Sequence, residues 1–226
     1  MKSGYSKIHD GKVFLGVDNS TKLSPDDPKG RNSVRLESID TFDGGLIIAD
    51  FAHLPGSACG SWPAFWTLHD EGSEYSEIDI IEGASLNTAN EITMYTSRSS
   101  PCELEPLNSA ARRVTTNCFQ TEEQMNGEPQ GCGVVAPEGS FGSEFNKQNG
   151  GVWALQLEAD KINAWHIPRA KIQKDITEGK PDPSKWGTPA MSYGPGTCDI
   201  TKAWKAMKIV SSAHSPVWHV INENRF

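Results

Sequence analysis

The sequence predicts an all-β protein folded as a β-sandwich. Short runs of strand-forming residues alternate with turn clusters along the chain, and no long helical period interrupts them. The 226 residues include 21 glycines and 14 prolines, a composition typical of loop-rich β proteins. One domain over residues 1–226 is expected, because a chain of this length is long enough to bury a substantial core.

The predicted strands follow one another between turn signals. Residues 158–161 separate two strand-like runs and predict a hairpin. Residues 97–150 are rich in Gly, Asn and Glu and hold three of the five cysteines, which indicates a long loop region stapled by disulfides. Residues 174–195 predict an ordered loop. Strands are predicted, in order, at 13–17, 33–39, 46–51, 64–68, 77–81, 92–95, 153–157, 162–167 and 205–210.

Six residues at 77–82, Glu-Ile-Asp-Ile-Ile-Glu, carry most of the functional information. The isoleucines are β-branched and favour a strand. On a regular strand Glu77 and Asp79 share a face, whereas Glu82, five residues after Glu77, points the other way. One extra residue, a β-bulge at Ile80–Ile81, brings all three acids onto one face. The pattern therefore predicts a bulge at this point.

An acidic cluster on one strand face is costly to bury unless it performs chemistry or binds a cation. With the bulge, the Cα atoms of Glu77 and Glu82 lie ~13 Å apart along the strand. Side chains that lean together then approach the ~5–5.5 Å carboxyl separation of retaining glycosidases. The alternative interpretation is a solvated acidic edge strand, the more common meaning of this spacing in isolation.

Charge and motif content exclude several classes of protein. A net charge of −8 disfavours nucleic acid and an anionic membrane as partners, whereas an uncharged polysaccharide is not repelled. The sequence contains no run of about 18 apolar residues, so no transmembrane helix is expected. The cysteines and histidines show no metal-ligand spacing, and phosphate loops, dinucleotide fingerprints and serine nucleophile elbows are missing, so no metal and no cofactor are expected.

The cysteines indicate an oxidising compartment. An odd number leaves one sulfur without a partner in the chain, and we expect at least one disulfide within the group Cys102, Cys118 and Cys132, or from that group to Cys59. Asn19-Ser20-Thr21 is a glycosylation sequon, which agrees with an oxidising, secretory compartment. The segment at residues 1–10 is short and polar and does not have the pattern of a signal peptide, which conflicts with that compartment. The five cysteines are Cys59, Cys102, Cys118, Cys132 and Cys198.

The acidic hexapeptide and its surroundings resemble glycoside hydrolase family 16 in its bulged, laminarinase-like form. Upstream, Cys-Gly-Ser-Trp-Pro-Ala-Phe-Trp at 59–66 is similar to the segment that precedes the family's active-site strand. The resemblance covers about residues 11–210 and is greatest to fungal endo-1,3(4)-β-glucanases. Further matching segments are 11–18, 33–38, 49–56, 150–152, 165–169, 180–189 and 198–200.

This resemblance implies a concanavalin A-like jelly roll with a concave cleft. It implies an endo-acting, retaining hydrolase of β-1,3 or mixed β-1,3/1,4 glucan, with Glu77 as nucleophile, Asp79 as assisting acid and Glu82 as general acid/base. The expected partner is a β-glucan polysaccharide, the expected location is extracellular, and the expected state is a monomer. Relative to the family, both ends look truncated or altered, with a divergent tail at 211–226, and this is expected to reduce activity.

Four further residues are predicted to bind substrate. Trp62 and Trp66 lie just ahead of the acidic strand, where indole rings stack on pyranose faces, although each is as good a candidate for the core. Ser85 stands where fungal relatives commonly carry Asn, and Tyr95 stands where they commonly carry His. Since Tyr cannot be a cation near neutral pH, both departures change expected sugar contacts.

Two alternatives to hydrolysis remain open on the sequence. One is a carbohydrate-binding β-sandwich without turnover, which the altered ends and the Ser85 and Tyr95 departures favour. The other is a cell-wall glucan transglycosylase, because a sugar hydroxyl can intercept the same glycosyl-enzyme in place of water. The complete set of three acids favours an enzyme over the binding module.

Overall fold

The computed structural model describes residues 4–24, 30–71, 74–96, 101–119 and 131–214, and within them the regular secondary structure is mostly β-strand. Among these described residues, three short α-helices lie in the connections: α1 (Gly142–Lys147), α2 (Lys174–Thr177) and α3 (Ile200–Ala203). The strands are β1 (Ser6–His9), β2 (Lys12–Leu15), β3 (Val34–Glu37), β4 (Gly45–Phe51), β5 (Trp62–Glu71), β6 (Glu74–Glu82), β7 (Glu91–Thr96), β8 (Glu105–Pro106), β9 (Arg112–Thr115), β10 (Cys132–Val135), β11 (Gly151–Leu157), β12 (Ile162–Pro168), β13 (Met191–Gly194) and β14 (Lys208–His214).

Two antiparallel sheets form the sandwich. The larger sheet has seven strands in the order β3-β14-β5-β6-β7-β10-β9, and the smaller has five in the order β4-β11-β12-β13-β8. Strands β1 and β2 form a separate hairpin. The predicted all-β sandwich is confirmed, and the acidic strand β6 lies at the centre of the larger sheet.

The main core fills the space between the two sheets. On β11, Trp153, Leu155 and Leu157 face this core, whereas Val152 and Ala154 face the opposite side, as expected for a strand with a two-residue period. Strand β6 contributes Ile78, Ile80 and Ile81, which are all almost fully buried. Burying these side chains fixes which face of β6 is left for its acidic residues.

A second apolar cluster covers the outer face of the smaller sheet. Trp165 and Trp186 meet edge to face with 5.3 Å between ring centroids, and the Trp186 indole N–H donates a 2.7 Å hydrogen bond to Asp175. The predicted ordered loop at 174–195 provides this cover, but the prediction was incomplete, because the loop also contains helix α2 and strand β13.

The prediction of a loop at 97–150 was wrong in part. Its described residues include β8, β9, β10 and α1, and β10 pairs between β7 and β9 in the larger sheet. A Cys118–Cys132 disulfide staples this region, which confirms the predicted bridge, and Cys102 pairs with Cys198. Cys59 is free and exposed.

The last strand also differs from its prediction. Strand β14 begins at Lys208 and extends to His214, beyond the predicted end at residue 210, because it pairs along its length with β5 and with β3 on its other side.

Over the described residues, none of the helices has the length and apolar character needed to cross a membrane.

Candidate active site

The β-bulge predicted from the sequence is present in β6. Against β7, Asp79 pairs with Thr93 and Glu82 pairs with Glu91, so three steps along β6 match two along β7. The register against β5 shifts at the same place. Since Glu77 and Asp79 are two residues apart and the extra residue resets the alternation, Glu77, Asp79 and Glu82 share the face opposite the sandwich core.

A buried asparagine holds the bulge. Asn90 has no exposed surface, and its side-chain oxygen accepts a 3.0 Å hydrogen bond from the Glu82 backbone N–H. Its side-chain amide donates a 2.9 Å hydrogen bond to the Ile80 carbonyl, and its own N–H donates to Ser140 Oγ at 2.9 Å. Asn90 thus satisfies backbone groups at the irregular step of the ladder and fixes the position from which Glu82 extends.

The buried position of Glu82 raises its affinity for a proton. Burial raises its pKa from the ordinary 4.5 to about 7, with the negative charges of Glu77 and Glu91 acting in the same direction. The Trp62 indole N–H opposes this shift by donating a 2.7 Å hydrogen bond to Glu82 Oε1. Near neutral pH this carboxyl can therefore give up a proton in one step and recover it in the next.

Glu77 and Asp79 are neighbouring buried acids, and burial raises the pKa of both. Asp79 is only 2% exposed, and burial, followed by the charges of Glu82 and Glu77, raises its pKa well above the usual range. Burial also raises the pKa of Glu77, but hydrogen bonds from Tyr75 and Asp79 and the charge of Arg35 oppose this. These opposing influences on Glu77, and the larger rise at Asp79, favour the proton on Asp79 and the ionised form of Glu77.

Comparison with known protein families identifies the domain. Residues 2–214 match the family profile described as "XgeA-like, catalytic GH16 domain". The chain belongs to glycoside hydrolase family 16. A curated relative from Aspergillus flavus, a probable endo-1,3(4)-beta-glucanase, is 41% identical over 201 residues, which cover 88% of this chain and 29% of that protein. The chain spans about a third of the length of the first Aspergillus relatives it matches, 29%, 32% and 27% respectively.

Solved structures of family 16 enzymes have the same jelly-roll fold. An elongating family 16 β-1,3-glucosyltransferase is 42% identical with a TM-score of 0.83, covering 93% of this chain and 69% of that one. Laminarinase 16A from Phanerochaete chrysosporium, solved with 6-O-glucosyl-laminaritriose in its donor and acceptor sites, is 32% identical with a TM-score of 0.79, covering 90% of this chain and 68% of that one. The family and fold implied by the acidic hexapeptide are confirmed, and the chain is a glycoside hydrolase catalytic domain.

The two predicted sugar-stacking tryptophans occupy different environments in this family 16 domain. Both lie on the acidic face of β5, where Trp66 pairs with Asp79. Trp62 is half-buried and bonded to Glu82, as described above. Trp66 is only 8% exposed, because the Arg35 guanidinium lies 4.6 Å from its ring centroid, and its N–H donates to Ser212 Oγ at 3.2 Å. Trp62 therefore borders the acids directly, whereas Trp66 forms the covered floor beside them.

Ser85 and Tyr95, expected from the resemblance to replace sugar-contacting residues, lie in different places: Ser85 follows β6, and Tyr95 lies on β7. Ser85 has a φ of 51°, and its Oγ accepts a 3.3 Å hydrogen bond from the Gly60 N–H, just ahead of β5. Tyr95 pairs with Glu77 across β6 and β7. Burial and the surrounding carboxylates raise the pKa of Tyr95, so its phenol keeps its proton. A sugar contact by either residue stays a prediction.

One functional candidate was missed in the sequence. Tyr75, two residues before Glu77 on β6, donates a hydrogen bond from its hydroxyl to Glu77 Oε2. The two-residue spacing on a predicted strand was the available signal, but the strand was predicted to begin at Glu77 itself. Because β6 begins at Glu74, Tyr75 lies on the same face as the acids.

Proposed function

We propose that this domain is an endo-acting, retaining glycosidase that cleaves β-1,3 or mixed β-1,3/1,4 glucan by double displacement. The observation that carries the proposal is the bulge in β6, which brings an ionised Glu77 and a proton-holding Glu82 onto one face. Two carboxyl groups with opposed protonation are what a retaining mechanism requires. The names of the family 16 relatives, which include endo-1,3(4)-β-glucanases and a laminarinase, support β-glucan as the substrate.

In the first step the Glu77 carboxylate attacks the anomeric carbon while Glu82 gives its proton to the glycosidic oxygen. The glycosidic bond breaks, the leaving chain departs with a new hydroxyl, and an ester joins Glu77 to the sugar. In the second step the Glu82 carboxylate takes a proton from water, which attacks the same carbon and releases Glu77. Asp79 donates a hydrogen bond to Glu77 throughout and holds the nucleophile in orientation.

Transglycosylation is the second candidate function. A structure that covers 93% of this chain at 42% identity is an elongating β-1,3-glucosyltransferase. The same glycosyl-enzyme serves both outcomes, since a sugar hydroxyl can replace water as the attacking group. Products longer than the starting oligosaccharide, seen by chromatography after incubation with laminari-oligosaccharides, would favour transfer.

An extracellular location is part of the proposal. Two disulfides require an oxidising compartment to form and persist. Asn19, the acceptor of the sequon, is exposed on the connection between β2 and β3. Both features suit an enzyme that meets cell-wall or environmental polysaccharide.

Release of reducing sugar from laminarin tests the proposed activity. We expect the wild-type domain to release reducing ends and Glu77→Gln to abolish the release. Glu105→Gln is the matched control, because Glu105 is exposed on β8 of the other sheet. Binding of laminarin by a wild-type domain that releases no sugar would refute the hydrolase and support the binding module.

A further inference from the structure

The nucleophile has a neighbour whose role the two-carboxylate mechanism leaves unexplained. Tyr75 donates its hydroxyl hydrogen to Glu77 Oε2. Its ring packs against a small apolar cluster on the cleft face, formed by Trp66, Leu68 and Val210. Because both the ring and the hydroxyl are held, the phenol is directed at the nucleophile and has little freedom to rotate away.

The hydroxyl of Tyr75 can act only as a donor toward Glu77. Burial, followed by the negative charge of Glu77, raises the pKa of Tyr75, so the phenol stays protonated at any pH at which the domain works. Asp79 supplies a second hydrogen bond to the same carboxylate. Glu77 is thus held between two neutral donors within a face that is otherwise strongly acidic.

Other charged or titratable groups share this face. The strand pairing puts these groups on the side of Glu77: Asp79 and Glu82 of β6, Glu91 and Tyr95 of β7, Arg112 of β9, Asp70 of β5, Lys208 of β14, and Arg35 and Glu37 of β3. Arg35 is ion-paired with Glu37 at 2.7 Å, so part of its charge is already matched. Hydrogen bonds given directly to Glu77 are therefore a main means of keeping this carboxylate ionised.

We propose that Tyr75 is a further catalytic residue, which stabilises the Glu77 carboxylate as the leaving group when the glycosyl-enzyme breaks down. The inference rests on the proposed double displacement. In the second step the bond between the Glu77 oxygen and the anomeric carbon breaks, and both electrons return to the carboxylate. A donor fixed at Oε2 stabilises that charge as it develops, without reorganisation.

The same hydrogen bond acts in the opposite sense on the first step. Glu77 loses negative charge as it attacks the sugar, so a donor that stabilises the charge makes the carboxylate a weaker nucleophile. Tyr75 thus moves the balance between the two steps toward breakdown of the ester. Removing its hydroxyl is expected to lengthen the lifetime of the covalent intermediate.

Tyr75→Phe tests the proposal, because it keeps the ring and removes only the hydroxyl. We expect kcat on laminari-oligosaccharides to fall roughly 100-fold, the lower end of the range seen when a donor to a developing charge is removed. A glycosyl adduct should accumulate on the quenched variant by intact mass spectrometry and not on the wild type. The acidic limb of kcat/KM should move to higher pH, since Glu77 loses a hydrogen bond that lowers its pKa.

Tyr193→Phe is the matched control. The Tyr193 hydroxyl donates to the backbone carbonyls of Thr115 at 3.1 Å and Gly133 at 3.2 Å, within the core. Y193F is expected to lower thermal stability while the pH limb and the absence of adduct stay as in the wild type. Should Y75F fail to fold by circular dichroism, Tyr75→Leu keeps an apolar side chain against the cluster and carries the same three expectations.

The outcomes separate this proposal from the proposed function. Wild-type kcat, an unmoved acidic limb and no adduct in a folded Y75F would overturn the role of Tyr75 while leaving the glycosidase intact. A wild-type domain without hydrolysis, or an active E77Q, would overturn the double displacement itself. Loss of kcat together with an accumulated adduct in Y75F, and not in Y193F, would support Tyr75 as the donor to the leaving carboxylate.

Discussion

Replacing Glu82 by Gln should make the domain more stable at neutral pH while removing its activity. Folding transfers Glu82 into a site where burial and the charges of Glu77 and Glu91 raise its pKa from 4.5 to about 7. Ionising the group in the folded state therefore costs free energy that the unfolded chain does not bear. A glutamine keeps the shape and an oxygen for the Trp62 N–H, but it carries no charge.

The sign and size of the effect follow from proton linkage. Between pH 4.5 and about 7 the folded state binds more protons at Glu82 than the unfolded state, so the free energy of unfolding falls as pH rises. At ~1.4 kcal/mol per pH unit, the loss across this window is about 3 kcal/mol. E82Q and the wild type should be equally stable near pH 4.5, and E82Q should be more stable by about 3 kcal/mol at pH 8.

Urea denaturation of both proteins at pH 4.5, 6 and 8 measures this difference directly. Glu77 and Asp79 titrate in both proteins, so comparing E82Q with the wild type isolates Glu82 to first order. Glu105→Gln removes an equal formal charge from an exposed position and should leave the pH dependence unchanged. Parallel stability curves for E82Q and the wild type over this range would refute the assignment of a buried, proton-holding Glu82.

Three further predictions concern the support of the site and the compartment. Asn90→Ala leaves the Glu82 N–H and the Ile80 carbonyl without their hydrogen-bond partner. It should lower the free energy of unfolding by ~2–4 kcal/mol and reduce kcat more than it changes KM. The control Asn163→Ala, which removes buried hydrogen bonds from the other sheet, should lower stability without that effect on kcat. Ser85→Asn should stabilise the domain by roughly 0.5 kcal/mol in thermal melts, because Asn tolerates the left-handed backbone at φ 51° better than Ser, and an unchanged or lower melting temperature would contradict this. Expression in a eukaryotic secretory host should attach an N-glycan at Asn19, which is exposed. The glycan would be detected as a mass that glycosidase treatment removes and that the Asn19→Gln variant lacks. A wild-type chain of unmodified mass would count against the site.

The acidic strand was predictable because its information is local. Three isoleucines between three acids fix both the strand and its bulge, since no regular strand keeps the apolar and acidic residues on separate faces. The assignment of Glu77, Asp79 and Glu82 to one face follows from this parity alone. The family resemblance then added their roles, which remain proposals until activity is measured.

The features that were missed depend on contacts distant in sequence. Strand β10 reads Cys-Gly-Val-Val, too short to signal a strand, and it forms because β7, β9 and the Cys118 disulfide surround it. Trp66 is covered by Arg35, which arrives from the edge strand β3 through the pairing of β14. The residues adjacent in sequence to β10 and to Trp66 do not indicate these partners. The low exposure of Trp66 therefore could not be predicted from the sequence.

The anomeric configuration of the first product tests the central claim most directly. Proton NMR during early hydrolysis of a laminari-oligosaccharide distinguishes α from β reducing ends before mutarotation mixes them. If the bulge in β6 brings Glu77 and Glu82 close enough for double displacement, the first reducing ends are β, as in the substrate. First-formed α anomers would mean a single displacement by water and would contradict the proposed role of Glu77 as nucleophile.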